Sequence, residues 1–174
     1  MQHSQIVENM IRWALEKIGD SKYSGWCLSF IEDALEISNQ IEIFGGDCAK
    51  ESCNLYYDAI QFGEPERGAF VFYDCLCQSE EGTVNWGHCG ISLGEGQVIH
   101  AWATVRIDDF LQIEQLTSPI GEHPRYIGWV PLARVLRQKS DRKMENSLAN
   151  FNSSDRSAPP QSLPCVKGGG TAKS

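Results

Sequence analysis

No run of the 174-residue chain approaches the roughly 18 apolar residues that a membrane span requires. The opening MQHSQIVENMIRWALEKIG is charged and amphipathic. It lacks the long apolar region of a signal peptide, so synthesis in the cytoplasm is expected. Basic residues are also short, with 15 Lys and Arg against 23 Asp and Glu for a net charge of −8. The shortage lies in the body: residues 138–174 hold six Lys/Arg and three Asp/Glu, which leaves −11 for residues 1–137. Such a body repels phosphate backbones, which excludes nucleic acid as a partner class. No internal repeat and no second hydrophobic unit is visible. At 41% hydrophobic the chain can bury one ordinary core. A single domain over residues 1–137 is expected, followed by a polar, Ser/Asn/Pro/Gly-rich tail over 138–174 that reads as disordered.

Apolar residues Ile6, Val7, Met10, Ile11, Ala14, Leu15 and Ile18 fall on one helical face, with Ser4 as the N-cap and Gly19 as the stop. A second helix is expected from Cys27, with Leu28, Phe30, Ile31, Ala34 and Leu35 inward, and a third over roughly 48–61. After GEPERG the period changes to that of strands, in AFVFYD, WGHCGISL, QVIHAWATVRI and RYIGWVPL. Helices first and antiparallel strands second make an α+β fold, with the N-terminal helices packed on an antiparallel sheet.

Seven cysteines raise the question of which, if any, carries chemistry. Cys27, in YSGWCLSF, sits where a helix should begin, and unpaired N–H groups at a helix N-terminus favour a thiolate. A nucleophilic thiol needs a base, and the base an orienter. Both are offered by GHCGISLGEGQVIHAW. There His88, Gly90 and Ser92 share one strand face, and Cys89, Ile91 and Leu93 the other. The second set is apolar, so the His88 face is expected to turn away from the core. A three-residue loop at Gly94-Glu95-Gly96 would pair Leu93 with Gln97 and Gly90 with His100. His88 and His100 would then be diagonal neighbours on one face, about 7–8 Å apart at the backbone. A two-residue loop would set them on opposite faces.

These segments resemble the NlpC-type peptidoglycan endopeptidases, a papain-like family of cysteine peptidases. Its motifs are matched by C-L-S-F opening a helix, by RGAFVFYD, and by GHCGISLG, with the second histidine twelve residues after the first. The resemblance spans roughly residues 5–131 and implies a papain-like fold. It implies Cys27 as nucleophile, His88 as general base and later acid, and His100 as the residue that orients His88. It places Tyr23 near the oxyanion, beside the Cys27 backbone N–H. The chain departs from the family at Trp26 for Asp, at Leu28-Ser29 for Ser-Gly, at Ala69 for Asp, and at Cys89 for Val. CHAP amidases share the Cys-then-His order but complete the site with a downstream acidic or amide residue.

The expected function is therefore a cysteine peptidase or amidase. It would cleave amide bonds in peptidoglycan stem peptides, need no cofactor or metal, and act as a monomer on a peptide or peptidoglycan partner. Trp26, Trp86 and Trp102 are candidate cleft walls. Action at the cell wall or after non-classical export stays open. One alternative is a cysteine hydrolase acting on an intracellular protein or small amide. Another is a non-enzymatic binding module held by zinc or by disulfides, through Cys48 and Cys53 or across to the Cys75 and Cys77 region. CAKESC allows a zinc knuckle, whereas the one-residue gap of CLC does not.

Overall fold

Helix α1 spans His3–Leu15 and buries Val7, Met10, Ile11 and Ala14, the spacing of a single helical face. The computed structural model describes residues 2–137; the proposed tail at 138–174 lies outside the described residues. Helix α1 starts one residue before Ser4, which lies inside the first turn, and Gln2 at the N-cap offers no side-chain bond. Helix α2 spans Cys27–Asn39 and buries Leu28, Phe30, Ile31, Ala34 and Leu35, the residues expected inward. Each fully buried Phe, Ile or Leu there contributes about 1.5–3 kcal/mol relative to exposure. Helix α3 runs only over Ala49–Leu55, shorter than expected, and a 3₁₀ turn follows at Tyr57–Ala59. The helical pattern is overridden by pairing: Gln61 exchanges backbone hydrogen bonds of 2.8 and 3.0 Å with Trp129, and the chain must extend to do so.

Strand β1 (Phe70–Asp74) leads into a small separate hairpin, β2 (Leu76–Ser79) and β3 (Gly82–Asn85), which the sequence reading did not anticipate. Then come β4 (His88–Gly94), β5 (Gln97–Ala101), β6 (Val105–Asp109) and β7 (Arg125–Val130). The main sheet has five strands in the order β6-β5-β4-β1-β7, and all neighbours are antiparallel. QVIHAWATVRI is therefore two strands. The chain reverses at Trp102–Thr104, where the Trp102 N–H donates to the Thr104 carbonyl at 3.0 Å.

The helices pack on the face that carries Phe70, Phe72, Cys89, Ile91 and Ile99. The α+β layout of helices on an antiparallel sheet is thus the observed one. The face that carries His88 does turn away from the helices, yet it is not open. Val71, Tyr73 and Val98 form a second small core there with Ile113, covered by Phe110, Leu116, Tyr126 and Trp129. His88 and His100 are consequently buried.

Candidate functional site

Cys27 is the first residue of α2. No side chain caps this helix, and its first turn holds no acidic residue, so its N-terminal N–H groups and dipole stay available to the sulfur. Cys89 and His88 are the groups that act most on the Cys27 thiol. Cys89 first, and then His88, hold it well below the ordinary thiol range against the opposing effect of burial. Burial, and Cys27 itself, push the Cys89 thiol well above that range. The two thiols are thus pushed in opposite directions, Cys27 down and Cys89 up.

The hairpin between β4 and β5 delivers the histidines by a different route from the one expected. Gly90 does pair with His100, but Gly94, not Leu93, pairs with Gln97. The loop is the two-residue Glu95-Gly96, with φ of 54° and 74° as a type I′ turn requires. A register shift between Ser92 and Gly94 inserts one extra residue. That bulge restores the parity that a two-residue loop would otherwise break. Gly90 then matters for space: a Cβ there would lie 2.6 Å from Val98 Cγ1 and 2.9 Å from His100 Cβ. Its bare backbone leaves the volume that the His100 ring needs to reach diagonally to His88.

His88 Nε2 and His100 Nδ1 are 2.8 Å apart, and His100 Nε2 is 2.9 Å from Asp108 Oδ2. Arg106 forks onto the same carboxylate, Nη2 to Oδ1 at 2.7 Å and Nε to Oδ2 at 2.5 Å. Burial opposes charge on Asp108, but Arg106 and His100 hold its carboxyl below the usual range. Burial, then the charge of His88, pushes His100 down to about 3. A neutral His100 donating from Nε2 to Asp108 must accept at Nδ1, so His88 donates from Nε2 and keeps Nδ1 as an acceptor. The network can thus take and hold a proton from the Cys27 thiol.

Asp108 was missed from sequence. Strand β6 pairs with β5 as Val98 to Asp108 and His100 to Arg106. Those alternating positions place Arg106 and Asp108 on the histidine face. The signal was present in VRIDD, hidden by reading one long strand in place of a second hairpin.

Tyr23 is not brought to the cleft. Its hydroxyl donates to Asp33 Oδ2 at 2.7 Å, and its ring packs edge-on against Phe30 and Trp13. Burial and Asp33 raise its hydroxyl above the ordinary range. The three tryptophans do line one cleft of about 590 Å³ together with Cys27 and His88. Trp102 stands edge-on to His88 with ring centroids 5.1 Å apart. Trp86 is fixed from behind: the Lys50 N–H donates to its carbonyl at 2.9 Å. Asn85 Oδ1 accepts from the N–H groups of Cys75 and Gly87, while its amide and Lys50 both reach Asp74. Gly87 has φ of 71°, and a Cβ there would sit 2.6 Å from the Lys50 nitrogen, so α3 docks this closely only against glycine.

Cys27, Cys48, Cys53, Cys75 and Cys89 are free thiols, so neither a Cys48–Cys53 bridge nor one to Cys75 is formed. Among the described residues no group of three or more His, Cys, Asp or Glu could hold a metal ion. No helix among them is long and apolar enough to cross a membrane.

No family model matches the chain, and no curated protein matches it. Among solved structures it is similar to RipD from Mycobacterium tuberculosis, at 16% identity and a TM-score of 0.42, over 73% of this chain and 97% of that one. RipD is described as a non-catalytic NlpC/p60 domain protein, an adaptation to peptidoglycan-binding function. The expectation of a cysteine peptidase or amidase that cleaves stem peptides is not supported by that comparison, in which the neighbour is described as non-catalytic. The likeness is distant and is one of fold, between a mixed α+β chain and an NlpC/p60 domain.

Proposed function

We propose that this chain is a binding module that seats a short peptide, of the stem-peptide kind found in peptidoglycan, over Cys27 and His88 without cleaving it. The observation that carries this reading is the cleft itself. Three indoles, those of Trp26, Trp86 and Trp102, converge on one concavity whose floor holds a few polar groups. That is a composition a ligand site can have, with indoles for contact area and polar atoms for orientation. Two local features support holding over cleaving. The Cys27 thiol is acted on by Cys89 ahead of His88, and the Tyr23 hydroxyl that the resemblance placed near an oxyanion is committed to Asp33. In this reading Cys27 and His88 hydrogen-bond a bound amide.

Three of the five tryptophans of the chain line the cleft, so intrinsic fluorescence reports on occupancy. Titration with purified muropeptides should give a saturable change. Trp26→Ala should weaken it by about tenfold, the scale of one lost aromatic contact in a binding site. Trp26 is 38% exposed, so the fold tolerates its removal. A flat titration, or an unchanged affinity in Trp26→Ala, would contradict the reading.

A further inference from the structure

Part of the cleft is assembled from three separate segments. Cys48 and Ala49 come from the start of α3, Cys75 from the link between β1 and β2, and Trp86 and Gly87 from the link between β3 and β4. Three side chains tie these segments together, and none of the three lines the cleft itself. Asp74, the last residue of β1, is the hub. Its Oδ1 accepts from Lys50 Nζ and from Asn85 Nδ2, both at 2.6 Å. Asn85, the last residue of β3, joins the two links: its Oδ1 accepts the Cys75 N–H at 2.9 Å and the Gly87 N–H at 3.0 Å. The backbone adds to the clasp, since the Lys50 N–H donates to the Trp86 carbonyl and the Trp86 N–H to the Cys75 carbonyl. Burial opposes charge on Asp74, yet Lys50 and Asn85 hold its carboxyl below the usual range. The elements so joined are weak by themselves. Helix α3 has seven residues, and β2–β3 is a two-stranded hairpin outside the main sheet. Isolated helices and hairpins of that size are marginal in water, so the place of this wall depends on what ties it down.

We propose that Lys50, Asp74 and Asn85 are positioning residues that set the affinity of the cleft for its peptide, by fixing Trp86 against the start of α3. The inference rests on the reading of the cleft as a peptide site and adds to it three residues that do not touch the ligand. The side chains of Lys50 and Asp74 are 32% and 40% exposed, so their ion pair contributes little to global stability. Its loss is felt locally instead. A wall that is no longer held must be ordered when the ligand arrives, and that cost is subtracted from binding.

The test titrates the full chain with purified muropeptides, reads tryptophan fluorescence and calorimetry, and follows urea unfolding of the same variants. Lys50→Met keeps the stem and removes the ammonium group. Asn85→Asp keeps an acceptor for the two N–H groups but sets a second carboxylate against Asp74. Each should weaken binding by about threefold to tenfold while the urea midpoint stays near that of the wild type. Asp74→Asn combined with Asn85→Asp returns one carboxylate and one amide to the pair with their places exchanged. That double variant should bind more tightly than Asn85→Asp alone, a coupling between the two positions that a general loss of stability does not produce. Lys50 lies on the helix surface, so Lys50→Met decides the matter if the Asn85 variant fails to fold. Wild-type affinity in Lys50→Met and Asn85→Asp would overturn the inference and leave the peptide-site reading in place. So would a double variant that binds no better than Asn85→Asp. A wild-type chain that gives no saturable signal would overturn both.

Discussion

His88 and His100 stand with rings nearly perpendicular, at 83°, and nitrogens 2.8 Å apart. This contact fixes which nitrogen of His88 faces the thiol, and it depends on Asp108 behind it. Replacing Asp108 by Asn removes the acceptor that sets the His100 tautomer. Asp108→Asn should slow alkylation of Cys27 by iodoacetamide near pH 6 by about threefold to tenfold, where one unit of thiol pKa is tenfold in thiolate. Mass spectrometry of the Cys27 peptide gives the rate. An unchanged rate would disconnect Asp108 from the thiol.

Cys89 stands where the resembling family has valine, and here it is the largest influence lowering the Cys27 thiol. Cys89→Val keeps the core apolar and near its volume, at a stability cost below about 1.5 kcal/mol. It should raise the Cys27 pKa, because the largest influence lowering it is lost. The pH at which Cys27 alkylation reaches half its maximal rate should move upward. A midpoint that stays in place would assign the lowered pKa to His88 and the helix terminus instead.

Gly90 tests the packing that makes the histidine contact possible. Gly90→Ala puts a methyl against Val98, the Ile99 carbonyl and His100. Overpacking of this kind costs about 1–3 kcal/mol, readable as a lower urea midpoint. Wild-type stability in Gly90→Ala would mean that the hairpin has slack the observed distances do not show.

Burial pushes the Glu32 carboxyl up to about 7 from 4.5, with the Gly45 N–H opposing and Glu36 and Asp33 adding to the rise. Between those values the folded chain binds more protons than the unfolded chain. This group's contribution to stability is therefore complete below about pH 4.5 and lost as pH rises through about 7. Glu32→Gln removes the dependence and can keep the acceptor for Gly45. Its melting temperature should exceed that of the wild type at pH 8, and the advantage should vanish near pH 4.5. An advantage that does not change with pH would show that the carboxyl is not perturbed.

Much of this site is legible in the sequence. The start of α2 at Cys27 follows from the apolar spacing behind it, whereas the pairing of Gly90 with His100 is expected from a three-residue loop and is reached instead through a two-residue loop and a bulge. What was not legible is tertiary. The influence of Cys89 on Cys27 joins a strand to a helix terminus 62 positions away, and Cys89 reads simply as one of an apolar set with Ile91 and Leu93. Tyr23 reached Asp33 because the turn before α2 folds back on that helix, which a motif comparison does not register. Asp108 was lost with the boundary between β5 and β6. The β2–β3 hairpin was lost because LCQSEEGTVN alternates weakly and buries little beyond Cys77.

The central claim, that the cleft binds and does not cut, is tested most directly by incubating the protein with purified muropeptides and following both quantities in one sample. Fluorescence reads occupancy and mass spectrometry reads the ligand. The account predicts saturation of the tryptophan signal with every muropeptide recovered intact after prolonged incubation. New fragments that appear with the wild type and are absent with Cys27→Ala would contradict it.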